Sequence, residues 1–550
     1  MMRFLLSLLF AAVLLSLPAS RASAASPRPW DRFDILHYDL TVRFDVVAKR
    51  FGGSVGVTAL RRTPGREFLL HAYHPSIEID SVLGGVRAHP LAFTRNGDTL
   101  TIRLGRAGAR GDTVRLTVYY RGTSSFKGEY DNGGVFFSHD SLGNAHLATM
   151  GEPNFSRRWW PCKDFPSDKA TATIVATVPT PLTAVSNGLL MGVTEGPGER
   201  TFRWETRYPI ATYLVAISAA PYAKFSQTYT GLNGRTMPID YYVFEKDLEK
   251  ARRDFRNTPA ILRAFAERFG EYPFFDEKFG YAEVDGDLTM ENQTLVSVEG
   301  ELITGTGEHE TTLIHELSHH WWGNLVTPAS WHHTWLSEGF GTYAEALYLE
   351  WTKGDSSYRA FMDRLMRSPA GSFKGSVIGR SDTAFWDSFG ANTYFKGAIV
   401  LHMLRAVMGD SAFFRAMRAH LQDPATRYGN VSTEGFIRTC EKAYGRDLGW
   451  FFAQWVTASP PTVDRPVLKL AWSTVPDGPS HALTVTVDQL NARELLYRLP
   501  FNITVSSGGK DRVFPVVDSL ARQTFRFTVA EKPDRVILDK EHAMFFDLQQ

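Results

Sequence analysis

The sequence has 550 residues, 43% hydrophobic and 22% charged, with a formal net charge of +1 at pH 7. That length exceeds one ordinary core and implies several domains, while the composition is that of a globular protein. A charge so near balance excludes a protein drawn by its global field to polyanions, so no nucleic-acid partner is expected, local patches aside.

The first 24 residues read as a signal peptide. Arg3 supplies a basic start, residues 4–17 are mostly apolar, and Ala22-Ser23-Ala24 offers a small-residue cleavage site. The apolar run is shorter than the roughly 20 residues that span a bilayer, which favours cleavage over an uncleaved anchor. The expectation is export, to a periplasm or outside the cell, with no stable membrane span left afterwards. Two cysteines, Cys162 and Cys440, lie far apart in the chain. They read as buried unpaired thiols, a single long-range disulfide being the alternative.

From about residue 31 to 229 the apolar pattern has period two. Tyr38, Leu40, Val42 and Phe44 alternate with polar residues, as do Leu100, Ile102 and Leu104, and Asn96-Gly97 marks a hairpin. Helical spacing takes over near Lys246. It runs through residues 248–269, 312–322, 336–351, 396–408 and 433–443, with a short strand at 279–284. Ser459-Pro460-Pro461 reads as a linker. Alternation then returns at Leu483, Val485 and Val487 and at Phe501, Ile503 and Val505, with a turn at Ser507-Gly508-Gly509-Lys510. The chain therefore reads as multidomain α+β: signal peptide 1–24, an N-terminal antiparallel β domain 25–230, a mainly helical domain 231–458 and a C-terminal β-sandwich 462–550.

Residues 315–319 read His-Glu-Leu-Ser-His within a helical pattern. Positions i and i+4 share one helix face, so the imidazoles of His315 and His319 can reach one zinc ion. Glu316 stands beside them, placed to take a proton from water. A chance match to this motif is expected only roughly 0.03 times in such a chain. Glu338, 19 residues after His319 and at the start of the next helical pattern, supplies a third ligand. Three protein ligands leave one position open, as a catalytic zinc site requires. His309, His320, His332 and His333 crowd the same region, and nothing in their spacing asks for ligation.

The stretch HELSHHWWGNLVTPASWHHTWLSEGF at 315–340 resembles the aminopeptidase N family of gluzincin metallopeptidases. So do TMGEPNFSRRWWPCKDFPSDKAT at 149–171, FGEYPF at 269–274, YFKGAIVLHMLR at 394–405 and STEGFIRTCEKAYGRDLGWFFAQWV at 432–456. The resemblance covers roughly residues 31–456 and implies a thermolysin-like fold for the helical domain. It implies removal of N-terminal amino acids from peptides by zinc-activated water, with Glu316 as general base and one Zn2+ per chain. Tyr394 matches the tyrosine that stabilises the oxyanion. Leu288-Thr289-Met290-Glu291-Asn292 matches the family's Gly-x-Met-Glu-Asn motif, so Thr289, Met290, Glu291 and Asn292 are expected to line the substrate site. Glu291, with Glu152 from the β domain, would bind the free α-ammonium.

The match has three departures. Leu288 replaces the motif's glycine, Met150 stands where many relatives have Gln, and the large helical C-terminal domain of many relatives has no counterpart in this sequence. Two other readings compete: a zinc endopeptidase or processing protease, and a non-catalytic peptide-binding scaffold. The sequence carries no signal for oligomeric state.

Overall fold

The computed structural model describes residues 28–549, apart from 86, 125–132, 140–142, 369–372, 381–388 and 458–464. The expected signal peptide and the Ser459-Pro460-Pro461 linker lie outside the described residues. Among those described, no helix is long and apolar enough to cross a membrane.

The N-terminal unit is built on an eight-stranded sheet. Its central strand, Phe33–Asp45, buries Tyr38, Leu40, Val42 and Phe44 on one face, as the alternation predicts. On one side it pairs antiparallel with Arg50–Arg61. On the other it pairs parallel with Lys169–Pro179, His37 opposite Thr171 through Arg43 opposite Thr177. The expected antiparallel domain is thus a mixed sheet. Period two is the same for either direction, and no hairpin fixes the direction of two strands so far apart in the chain. The Asn96-Gly97 turn joins Phe93–Asn96 to Thr99–Gly108, with Gly97 at φ +55°. A further four-stranded sheet has Ala145–Met150 as an inner strand, which delivers the chain to Glu152.

The next sheet has the order Ala223–Thr230, Thr236–Val243, Phe279–Val284, Val296–Glu299. Its first two strands form a hairpin that straddles residue 230, and its later pairings are parallel. Phe279–Val284 is buried along its whole length, as a parallel strand covered on both faces should be. The predicted helix 248–269 is two helices, Leu248–Asp254 and Thr258–Phe269, with a 3-10 turn between them. Pro259 lies in the first turn of the second, where its missing N–H has no intrahelical partner to lose.

The helix bearing the H-E-x-x-H motif, Glu310–Ser318, ends before the predicted residue 322. His319 caps it with helical angles (φ −56°, ψ −22°), so the i, i+4 relation to His315 survives. Helix Trp335–Lys353 crosses it and carries Glu338. Gly397–Met408 follows a π-helical turn, Asn392–Lys396, that carries Tyr394.

The C-terminal unit is a sandwich of a four-stranded and a three-stranded sheet. Gly508 and Gly509, both at positive φ, make its tight turn between Leu499–Ser507 and Lys510–Asp518. Its inner residues share one apolar cluster with the helical unit, while the N-terminal unit has its own. Met290, Trp331 and Phe389 belong to the N-terminal cluster, and Tyr394 packs against it. The candidate site therefore sits on the seam between two cores. Cys162 and Cys440 are both buried and unpaired, as expected.

Candidate active site and metal centre

His315, His319 and Glu338 bring one ligand atom each to within 4.8 Å of one another. Nε2 of His315 lies 3.3 Å and Nε2 of His319 3.5 Å from Oε2 of Glu338. The opposite nitrogens decide what those Nε2 atoms can do. Nδ1 of His315 faces Oε1 of Glu345 at 3.2 Å, and Nδ1 of His319 faces the Trp322 carbonyl at 3.0 Å. Both partners accept, so both Nδ1 atoms carry the hydrogen and both Nε2 lone pairs point at one spot. Two neutral imidazoles and a carboxylate are the donor set of a catalytic zinc, and these residues fit it. Burial pushes the Glu338 carboxyl up, but the two imidazoles, when protonated, outweigh it and hold it down at about 2.

Backbone shape makes room for this cluster. A Cβ on Gly341 would come within 2.8 Å of His315 Cε1 and 3.0 Å of His319 Cε1. Gly323, at φ +129°, turns the chain so that the Trp322 carbonyl reaches His319; a Cβ there would meet Ser337 Oγ at 2.5 Å. Ser337 Oγ also lies 3.0 Å from His319 Nδ1. Gly339 and Gly397 cross so closely that a Cβ on either would meet the other's Cα at about 3 Å. That crossing seats the Tyr394 turn against the ligand helix. The Tyr394 ring stacks beside His315, with centroids 6.0 Å apart and planes 18° apart. Burial, reinforced by Glu338, Glu152 and Glu291, raises its hydroxyl pKa well above the usual value. It remains a hydrogen-bond donor at neutral pH.

Glu316 is buried beside the ligands, and burial lifts its carboxyl to about 7 against the pull of His315.

Two more acids converge from different units. Glu291, Glu316 and His319 bring ligand-type atoms within 4.8 Å of one another, and so do Glu152, Glu291 and Glu338. Oε1 of Glu291 is buried without a partner. Burial raises both Glu152 and Glu291, and for Glu152 the charge of Glu291 adds to the rise. Two buried carboxylates, with the half-buried Glu152 against them, demand cations at this point.

The loop that carries Glu291 is held by its backbone. Met290 and Ser297 exchange N–H···O bonds of 3.1 and 2.9 Å, and Asn324 Nδ2 donates to the Glu291 carbonyl at 2.8 Å. Met290 is buried in the N-terminal core. Asn292 donates to Ser297 Oγ at 3.0 Å and Thr289 to Glu299 at 2.8 Å. The Thr289 hydroxyl and the Asn292 amide N–H are therefore engaged in holding the loop, while Asn292 Oδ1 is buried without a partner. Leu288 fills a small apolar cluster with Ala148 and Val284, against which Met150 packs. Two departures from the family pattern thus meet in one place.

The crowded histidines divide as the spacing implies. His320 donates to the Leu317 carbonyl and accepts the Thr294 N–H at 3.0 Å, tying the Glu291 loop to the motif helix, and burial drops its pKa to about 3. His332 faces the Gly379 carbonyl, His333 the Thr433 hydroxyl, and His309 lies 3.1 Å from Glu308. Sequence reasoning missed Glu345, Ser337 and Gly341. Glu345 was accessible, because i+7 from Glu338 lies on the same helix face.

The H-E-x-x-H histidines and Glu338 together make a donor set that fits one zinc ion. The profile described as "Peptidase M1 N-terminal domain" matches residues 35–214, and "Peptidase family M1 domain" matches 257–455. The chain belongs to peptidase family M1. It is 28% identical over 348 residues to an aminopeptidase N of Streptomyces lividans, covering 59% of this chain and 39% of the relative. It is 28% identical over 459 residues to aminopeptidase M1-B of Oryza sativa subsp. japonica, covering 76% and 49%. It thus spans about half or less of these relatives' length.

Among solved structures, a mutant M1 zinc metallopeptidase from Deinococcus radiodurans bound to a Tyr-Ser-Ala substrate superposes with TM-score 0.67 at 26% identity. That match covers 79% of this chain and 96% of the other. Legionella pneumophila aminopeptidase A, in complex with aspartic acid, shares the fold with TM-score 0.78 at 18% identity, covering 94% and 60%.

Proposed function

We propose that the chain is a zinc-dependent aminopeptidase that releases N-terminal amino acids from peptides. The observation that carries this reading is the approach of Glu152, from the N-terminal unit, and Glu291, from the helical unit, to the metal ligands. Endopeptidase chemistry needs a metal site and a base, but no such acidic wall. An α-ammonium carries three donors and a positive charge, which answer the unpartnered Oε1 of Glu291 and relieve the repulsion between the acids. Binding the terminus there places the first peptide bond at His315, His319 and Glu338.

Bound zinc supplies a Lewis acid that acidifies water and polarises the carbonyl. Glu316 accepts the proton of the attacking water and can return it to the leaving amine, a role its place beside His319 and Glu291 suits. Tyr394, kept protonated by burial, donates to the oxygen on which negative charge develops. Glu345 and the Trp322 carbonyl keep the two imidazoles in register throughout. Peptides with a free N-terminus are the substrates this reading requires. Zinc-replete protein should hydrolyse aminoacyl fluorogenic amides and lose that activity to a chelator; inert zinc-loaded protein would count against this reading and in favour of the scaffold one.

Arg3, the apolar stretch 4–17 and Ala22-Ser23-Ala24 support export with cleavage after residue 24. N-terminal sequencing of protein recovered from its natural compartment tests this, and a retained Met1 would refute it.

A further inference from the structure

A cleft of about 1,090 Å3 lies against helices Asp410–Gln422 and Thr433–Tyr444, and no residue of the metal site lines it. Arg415 and Arg418, three apart on the first helix, line it together with Arg438 and Lys442, four apart on the second. These spacings put each pair on one helix face. Asp423 is the sole carboxylate among the lining residues.

None of the four cations forms a direct ion pair among the described residues, although Glu434, one turn before Arg438, feels its charge. Arg415 donates to Ser411 Oγ and the Ala443 carbonyl, and Arg418 to the carbonyls of Glu267 and Arg268. These bonds fix the guanidinium groups without neutralising them. Arg438 and Lys442 extend from exposed helix positions with no hydrogen-bond or ion-pair partner among the described residues. The cleft also holds His420, which is 4% exposed and whose Nε2 has no partner. Such a buried polar atom calls for a group that answers it.

The shape narrows the class of ligand. The cavity far exceeds what an inorganic anion fills, and Ala329, Ala419, Val431 and Ala443 give it apolar surface between the charges. Apart from His420 no aromatic ring lines it, so it lacks the stacking platform of a single-stranded nucleic-acid site. We propose that this cleft docks an acidic peptide segment, its carboxylates paired with Arg415, Arg418, Arg438 and Lys442 and a backbone group reaching His420. This is a peptide site separate from the metal centre, and it recognises side-chain charge instead of a free terminus.

The test uses zinc-replete full-length protein and a fluorophore-bearing Glu-Ala-Glu-Ala-Glu-Ala peptide, acetylated and amidated so that it offers no ammonium to Glu291. Anisotropy should rise saturably at low salt. The double variant Arg438→Ala/Lys442→Ala should bind at least about tenfold more weakly. Arg427→Ala, which changes an exposed cation outside the cleft, should bind as wild type. Ala419→Trp, which fills the cleft without altering charge, should lose binding as well. No saturation below about 1 mM, undiminished affinity in either cleft variant, or displacement by equimolar inorganic phosphate would overturn the proposal. The last result would mean an adventitious anion site only.

Discussion

Glu345 lies seven residues beyond Glu338 on one helix and sets its Oε1 3.2 Å from Nδ1 of His315, so a single helix supplies a candidate ligand and orients another. Carboxylate partners of this kind fix the tautomer of a ligating imidazole and raise its basicity. Glu345→Ala should therefore weaken zinc affinity by about 10–100-fold, with the fold intact. Competition with a chromophoric chelator measures this, and unchanged affinity would remove the orienting role.

Gly341 is the second support of the same imidazoles. Gly341→Ala puts a methyl within 3 Å of both rings, against ligands already held by Glu345 and the Trp322 carbonyl. The helix itself would gain from alanine, by about 1 kcal/mol. The variant should nonetheless lose zinc while melting no earlier than the wild-type apoprotein. Calorimetry of apo and zinc-loaded samples separates the two effects.

The roles of Glu316 and Glu338 should divide between chemistry and metal. Glu316→Gln should retain zinc and lose turnover by about 10²–10⁴-fold, the range for a general base. Glu338→Ala should lose zinc itself, since removing it leaves two ligands. Metal analysis beside steady-state kinetics reads both, and a fully active Glu316→Gln enzyme would remove the base assignment.

Much of this site was legible because its chemistry is local. His315 and His319 share a helix face by spacing alone, and the strand of Tyr38, Leu40, Val42 and Phe44 shows its buried side in its alternation. What stayed hidden depends on chains meeting from far apart. The parallel pairing of Phe33–Asp45 with Lys169–Pro179 leaves no mark on period two. The early end of Glu310–Ser318 arises from the turn through Gly323, whose purpose is clear only once Ser337 lies against it. The engagement of Thr289 with Glu299 and of Asn292 with Ser297 likewise depends on how the loop folds back on the strand Val296–Glu299.

Acid should loosen the joint between the helical unit and the C-terminal sandwich. His402 is buried there, Nδ1 2.7 Å from the Tyr358 hydroxyl and Nε2 2.8 Å from the His542 carbonyl. Burial lowers its pKa from 6.5 to about 4. Because the folded value is depressed, the unfolded chain binds the extra proton first. Its contribution is whole above pH 6.5 and is lost as pH falls towards 4. By pH 5 the loss amounts to about 2 kcal/mol. Urea unfolding at about pH 7.5 and pH 5 should show wild type losing that much more stability than His402→Gln; equal losses would contradict it.

The central claim is that Glu291 and Glu152 make the metal site read a free N-terminus. The direct measurement is kcat/KM for one peptide with a free and with an acetylated N-terminus, in wild type and in Glu291→Gln, all zinc-replete. An ammonium paired with a buried carboxylate is worth about 2–4 kcal/mol. Wild type should therefore prefer the free amine by about 100-fold, and Glu291→Gln should lose most of that preference while keeping its zinc. Acetylated peptide cleaved as fast as the free one by wild type, or an undiminished preference in Glu291→Gln, would contradict the account.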